Sequence, residues 1–152
     1  MKKILNRKSN FILALLMMLV FSSMAVSAKT EYFSGTMDYR VLDGSSNNVY
    51  YSFEANESLT MSGSVKVYDT TNYGGPAYPT TICCYEKTKS GQGNKICSAS
   101  VTAKFDGKSY SFSNTGKTIN KSDKYYIYCY KVNDDGHNIQ VDGTLSTNWC
   151  SI

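Results

Sequence analysis

Apolar and polar residues alternate with a period of two along several segments of this chain. The clearest run places four apolar residues on one parity, Leu59, Met61, Val65 and Val67, and polar residues between them. Successive side chains of a β-strand point to opposite faces, so such a segment has one core face and one solvent face. After residue 28 the 3.6-residue period of an amphipathic helix is hard to find. The pattern predicts an all-β protein.

The alternating segments and the turn residues between them predict about eight strands. Because each strand has one apolar face to bury, two packed sheets satisfy the pattern better than one open sheet. We therefore predict an antiparallel two-sheet β-sandwich, with a small closed β-barrel as the alternative. The predicted strands are 31–42, 47–55, 58–69, 79–88, 95–105, 108–114, 124–132 and 138–147.

Short sequences rich in Asp, Asn and Gly predict two of the hairpins. Asp106-Gly107 separates the apolar-alternating residues 101–105 from 108–112, and an Asp-Gly pair suits the positive φ angles of a two-residue type I′ turn. The stretch 133–138 is predicted to join the last two strands in the same way. On this interpretation the two strands of each hairpin are neighbours in the same sheet.

The N-terminus has the three parts of a secretory signal. Basic residues precede an apolar run over 11–21, and Val26 and Ala28 supply small residues at positions −3 and −1 of a cleavage site. The run is shorter than the roughly 20 residues of a membrane span. We therefore expect a cleaved signal at 1–28, a single secreted domain at 29–152, and no stable membrane span.

Removing this signal changes the charge of the protein. The whole chain has 16 Lys and Arg against 12 Asp and Glu, a net charge of +4. Four of the basic residues lie in the predicted signal, so the remainder is close to neutral. A neutral chain lacks the basic surface that nucleic-acid binding requires. The sequence therefore predicts no nucleic-acid partner.

Five cysteines lie in the predicted secreted part, Cys83, Cys84, Cys97, Cys129 and Cys150. An oxidising compartment favours disulfides, and an odd number leaves at least one thiol over. The sequence predicts two bridges, with the leftover cysteine free or linking two chains into a dimer. Cys150, near the end of the sequence, is the easiest candidate for such a link.

The spacing of the cysteines limits which pairs can form. A symmetric hairpin centred on Gln92 would place Cys97 opposite Lys87, which leaves Cys83 and Cys84 about 10–13 Å further along the strand. That exceeds the ~7 Å between Cα atoms that a disulfide tolerates. The sequence thus favours bridges between different hairpins, unless the 79–105 hairpin is asymmetric.

Catalytic, cofactor and metal motifs are absent from the sequence. His137 is the single histidine and falls in a Gly-containing turn, where we expect it to be solvated. Triad chemistry needs an oriented imidazole beside an exposed nucleophile. The oxygen-rich stretch 133–138 could hold Ca²⁺, but its residues are also those expected of a turn. We predict a protein that is not an enzyme, with no cofactor and no metal.

Tyrosine is the unusual feature of the composition, with 13 residues, all after residue 28. Alternation places Tyr126, Tyr128 and Tyr130 on one face of a strand and Ile127 and Cys129 on the other. If the latter two face the core, three phenol rings line the outer surface. Tyrosine offers stiff contact area and a hydroxyl, which suits glycan or protein recognition. The competing interpretation is that these tyrosines are simply favoured in sheets.

A second aromatic cluster, with Tyr73 and Tyr78, falls in a predicted connecting loop, and loops on rigid sandwiches often bind ligands. The leading hypothesis is a secreted, non-catalytic module that binds an extracellular glycan, cell-surface or protein ligand through these tyrosines. The alternative is a toxin-like or bacteriocin-like effector that acts on membranes or competing cells.

Overall fold

A computed structural model describes residues 28–54, 56–70 and 76–147. Most of the predicted signal segment 1–28, Tyr73 and Cys150 lie outside these ranges. Within them the chain forms strands and turns without a helix, which confirms the all-β prediction. The strands are β1 Thr30–Met37, β2 Val41–Asp43, β3 Ser58–Thr70, β4 Thr80–Thr88, β5 Gly91–Val101, β6 Ser109–Thr118, β7 Lys124–Lys131 and β8 His137–Thr147.

The strands form two four-stranded antiparallel sheets. Sheet A has the order β1-β8-β3-β6 and sheet B the order β2-β7-β4-β5. The inner faces of both sheets contribute to one hydrophobic core. The fold is therefore the predicted β-sandwich and not the closed barrel.

The alternating pattern identifies the core side of most strands correctly. Leu59, Met61 and Val65 on β3 are fully buried, as the sequence predicts. Burial of such side chains is the main favourable contribution to folding, roughly 1.5–3 kcal/mol each. Phe105 is an exception, because β5 ends before it and leaves its ring 49% exposed.

The structure differs from the prediction for two strands, 31–42 and 47–55. The first is two strands, β1 in sheet A and β2 in sheet B, because the exposed residues 38–40 bend the chain from one sheet to the other. The second is mostly turn, with one bridge between Tyr51 and Tyr125. Asn48 has a φ of 56°, which interrupts extended backbone.

Both predicted hairpins are wrong. The Asp106-Gly107 segment joins β5 to β6, and the 133–138 segment joins β7 to β8, so each crosses from sheet B to sheet A. Gly107 does have the predicted positive φ, 78°, and Asp106 accepts a hydrogen bond from the Lys108 N–H at 3.0 Å. Asp106 lacks the positive φ that a type I′ turn requires at its first central residue, and the connection bridges the two layers of the sandwich.

Sheet A has a close approach of two backbones at its centre. Gly63 on β3 lies directly opposite Gly143 on β8. The rings of Phe33 and Phe112 cover this pair from the core side, with centroids 6.5 Å apart. A Cβ on Gly63 would overlap both the Asp142 carbonyl oxygen and the Phe112 ring. The glycines therefore make room for the two aromatic rings.

Candidate functional site

Strand β7 has the alternation that the sequence predicts. Ile127 and Cys129 lie in the core, and Tyr126, Tyr128 and Tyr130 point to the outer side of sheet B. The strand reaches this arrangement because apolar side chains on one parity are drawn into the sandwich. The larger phenol rings then occupy the opposite parity.

Two further tyrosines join this row. Tyr85 on β4 stacks on Tyr126, with centroids 6.0 Å and planes 28° apart, and meets Tyr128 edge-on at 6.2 Å. Tyr50 meets Tyr126 edge-on at 6.4 Å, and Tyr128 lies 5.9 Å from Tyr130. We call these five residues the tyrosine face. Tyr85 was not predicted as a member, although its parity, shared with Cys83, is opposite to that of the core residues Ile82 and Cys84. Tyr50 was not predicted either, because it lies in an irregular segment and not on the predicted strand 47–55.

The members of the tyrosine face differ in accessibility. Tyr126 is only 3% exposed, because its neighbours Tyr50 and Tyr85 cover it, whereas Tyr128 and Tyr130 are partly exposed. Burial raises the pKa of the Tyr126 phenol, and the nearby Asp43 carboxylate raises it further. Tyr126 therefore stays protonated at neutral pH and supports the rings that a ligand could touch.

Polar side chains border the tyrosine face. The ammonium of Lys87 lies 6.0 Å from the centroid of the Tyr50 ring, within the range of a cation–π interaction. Lys95 on β5 is the register partner of Tyr85, and Asp43 on β2 is the partner of Tyr128. The surface thus combines aromatic area with polar side chains on both sides.

Tyr78, from the second predicted aromatic cluster, lies in the segment that leads into β4. That residue precedes β4, and its backbone N–H donates to Asp135 Oδ2 at 2.8 Å. It thus lies at the end of sheet B where β7 finishes, since Thr80 pairs with Lys131. Tyr73 lies outside the described residues, so the role predicted for it stays a prediction.

The outer face of sheet A is chemically different. Serine and threonine occupy most of its positions, and several bond across strands, with Thr60 and Thr115 oxygens 2.9 Å apart and those of Ser62 and Thr144 3.1 Å apart. Tyr32 stands among them, 78% exposed. The sandwich therefore has one hydroxyl-rich face and one tyrosine-rich face.

The segment predicted to be a solvated turn is a buried polar cluster. Asp135 Oδ1 accepts hydrogen bonds from Lys131 Nζ at 2.7 Å and from the His137 N–H at 3.0 Å. Burial pushes the pKa of Asp135 up, but the hydrogen bonds from Lys131, Tyr78 and His137 together bring it below its ordinary value. Because His137 is 7% exposed, the prediction of a solvated imidazole is wrong. These contacts use both oxygens of Asp135 internally, which suits a structural role.

Four of the predicted disulfide candidates, Cys83, Cys84, Cys97 and Cys129, are buried free thiols in this structure. Cys84 is the direct register partner of Cys97. The predicted 10–13 Å separation is therefore wrong, and its cause is the position of the turn. Chain pairing continues to Thr88 and Gly91, and two register shifts then bring Cys97 level with Cys84. The dimer link through Cys150 lies outside the described residues and stays a prediction.

Other sites are poorly supported in the part of the chain that the structure describes. No three His, Cys, Asp or Glu side chains there come together to hold a metal ion. A pocket between Leu42, Val49 and Ile127 has a volume of about 50 Å³, far below the roughly 300–1,000 Å³ of typical ligand pockets. No helix in those residues is long and apolar enough to cross a membrane. The tyrosine face is the best candidate surface.

Comparison with known proteins shows distant similarity in shape alone. No protein-family model and no curated protein matches the sequence. The CBM22-1 xylan-binding domain of Paenibacillus barcinonensis Xyn10C is 13% identical with a TM-score of 0.46, over 83% of this chain and 85% of that chain. The family 11 carbohydrate-binding module of Clostridium thermocellum was solved in complex with a β-1,3-1,4-mixed-linked tetrasaccharide. It is 13% identical with a TM-score of 0.44, over 86% of this chain and 94% of that chain. A protein of the disulfide-linked pili of Bacillus endospore appendages is 14% identical with a TM-score of 0.40, over 82% of this chain and 88% of that chain. These values are too low to transfer a ligand or a function.

Proposed function

We propose that this chain is a secreted, non-catalytic binding module that holds an extracellular glycan against the tyrosine face. The observation that carries the proposal is the continuous row of five tyrosine rings on the outside of sheet B. A row of contacting rings in fixed positions loses little conformational entropy when a ligand binds.

The chemistry of this surface favours a sugar over a purely apolar ligand. Sugar rings have C–H faces that pack on aromatic rings and hydroxyls that need hydrogen-bond partners. The partly exposed rings of Tyr128 and Tyr130 can pack against the C–H faces of a sugar. Their hydroxyls, together with Lys87 and Lys95 at the border, supply hydrogen-bond partners for the sugar hydroxyls. A row of rings that extends over β7 and β4 also suits an extended polysaccharide chain better than a single small sugar.

Binding to insoluble and soluble polysaccharides tests this proposal. We expect retention by the wild-type protein, and a loss of at least about tenfold in affinity, or 1.4 kcal/mol, for Tyr128→Ala and Tyr130→Ala. Tyr32→Ala is the matched control, because it removes an exposed tyrosine from the opposite face. Equal losses for Tyr32→Ala and Tyr128→Ala would show that the tyrosine face is not the binding surface.

A dye-release experiment distinguishes this proposal from the effector alternative. A membrane-active protein would release dye from liposomes of anionic or neutral lipid, whereas a glycan-binding module would not. Dye release without polysaccharide retention would overturn the proposal.

Secretion is tested on the exported protein, whose N-terminal residue should be Lys29 or a close neighbour. Retention of residues 1–28 would contradict the predicted cleavage.

A further inference from the structure

Two cysteine side chains meet inside the sandwich, on neighbouring strands of sheet B. Cys84 on β4 and Cys97 on β5 are direct antiparallel partners, and both side chains belong to the hydrophobic core. Directly opposite residues of an antiparallel pair have Cα atoms about 4.5–5.5 Å apart. That range lies within the roughly 4.4–6.8 Å that disulfides use.

The two thiols are also oriented towards each other. Contact with Cys97 raises the pKa of Cys84 well above its usual range, and the same contact lowers the pKa of Cys97. Strand β6 packs directly over this pair, since a Cβ on Gly116 would overlap the Cys97 side chain. The packing leaves Cys97 close to its partner.

The other two described cysteines cannot reach this pair. Cys83 points to the outer side of sheet B and contacts Tyr85 there, because neighbouring residues of a strand face opposite ways. Cys129 faces the core but lies opposite Ile82, one diagonal step from Cys84. Diagonal partners are about 7–8 Å apart, beyond the reach of a bridge without backbone movement.

We propose that Cys84 and Cys97 close a disulfide across the β4–β5 hairpin when the protein meets an oxidising thiol–disulfide reagent. The Cys97 thiolate attacks a sulfur of the reagent disulfide, forms a mixed disulfide and releases one reagent thiolate. The Cys84 thiolate then attacks the Cys97 sulfur and releases the second. The protein loses two protons and two electrons, and one reagent disulfide becomes two thiols.

The position of Cys97 accounts for the order of these steps. Strand β5 is at the edge of sheet B, whereas β4 lies between β7 and β5. An edge strand separates from its sheet more readily than an inner strand, so the reagent reaches Cys97 first. Cys84 is then the resolving cysteine, and it attacks from within the sheet as the hairpin closes.

Peptide mapping of the full chain, refolded with glutathione disulfide and alkylated without reduction, tests the pairing. Trypsin places the three inward-facing cysteines in separate peptides, 67–87, 96–104 and 125–131. We expect 67–87 linked to 96–104, and the link retained in Cys83→Ser but lost in Cys84→Ser. Alkylation of both Cys84 and Cys97 in the wild-type protein, or a link to 125–131, would overturn the proposal.

Melting temperature gives a second, independent readout. Closing the loop from Cys84 to Cys97 should raise the melting temperature by about 10 °C, so a reductant should lower it by that amount. The double variant Cys84→Ala/Cys97→Ala should melt at the same temperature with and without reductant. A wild-type protein equally insensitive to reductant would contradict the bond even if the variants fail to fold.

Discussion

Lys131 and Asp135 form an ion pair inside the protein, with 2.7 Å between Nζ and Oδ1 and side chains 2% and 1% exposed. Ion pairs this deeply buried are sensitive to the loss of either partner, because the remaining charge has no water to solvate it. The pair lies where β7 ends and the chain crosses to sheet A. It therefore holds the connection between the two layers.

The first prediction is that Asp135→Asn destabilises the protein by about 3–5 kcal/mol, since it leaves the Lys131 ammonium buried without a counter-charge. Lys131→Met should be less harmful, because backbone N–H groups still bond Asp135. Urea unfolding of the single and double variants measures the coupling. Additive effects within about 0.5 kcal/mol would show that the two charges do not stabilise one another.

The second prediction concerns acid. The folded-state pKa of Asp135 lies below its unfolded value of about 3.9. Its contribution to stability is therefore complete above the unfolded pKa and is lost as the pH falls through the folded pKa. Asp135→Asn should flatten the fall in stability as the pH drops below about 4. Urea unfolding of the wild type and the variant at a series of pH values measures this difference.

The third prediction separates support from contact within the tyrosine face. Tyr126→Ala should destabilise the protein by about 3–5 kcal/mol, because it empties a buried position between Tyr50 and Tyr85. Tyr130→Ala should change stability by less than about 1 kcal/mol. Thermal melting compares the two. A large loss for Tyr130→Ala would mean that its effect on binding cannot be interpreted as a lost contact.

The fourth prediction compares two glycines, one required by lack of space for a side chain and one by a positive φ. At Gly63 an added Cβ meets backbone and the Phe112 ring, so Gly63→Ala should force strands apart and destabilise by more than about 2 kcal/mol. At Gly107 an added Cβ meets nothing, and only the φ of 78° opposes it. Gly107→Ala should therefore destabilise by about 1–2 kcal/mol, and Gly107→Val by more. Reversal of the order of Gly63→Ala and Gly107→Ala in denaturant unfolding would refute this.

The sequence predicts what depends on neighbouring residues. The parity of Leu59, Met61 and Val65 identifies the core face, and the parity of Tyr126 and Tyr128 identifies the outer one. Both follow from the two-residue repeat of a strand, which each segment carries by itself. The core and the centre of the tyrosine face were predictable for this reason.

What the sequence does not predict is which sheet a strand joins. The Asp106-Gly107 signal marks a turn with positive φ, and both a hairpin and a crossing between layers satisfy it. Register is equally hidden, because the shifts between Cys84 and Lys87 depend on where the turn closes. Burial of His137 also escaped prediction, since His137 pairs with Thr70, a residue far earlier in the chain.

The pairing of β1 with β8 has a consequence for how the protein acquires its structure. Thr30 pairs with Ser146, and β8 also lies between β1 and β3. Sheet A therefore lacks one of its two inner strands until β8, which ends at Thr147, is in place. Contacts between residues so distant in sequence close late and slowly, because a long loop must be ordered before they form. Until β8 docks, β1 has no strand neighbour in its sheet and β3 presents an unpaired edge, a state open to pairing with another chain.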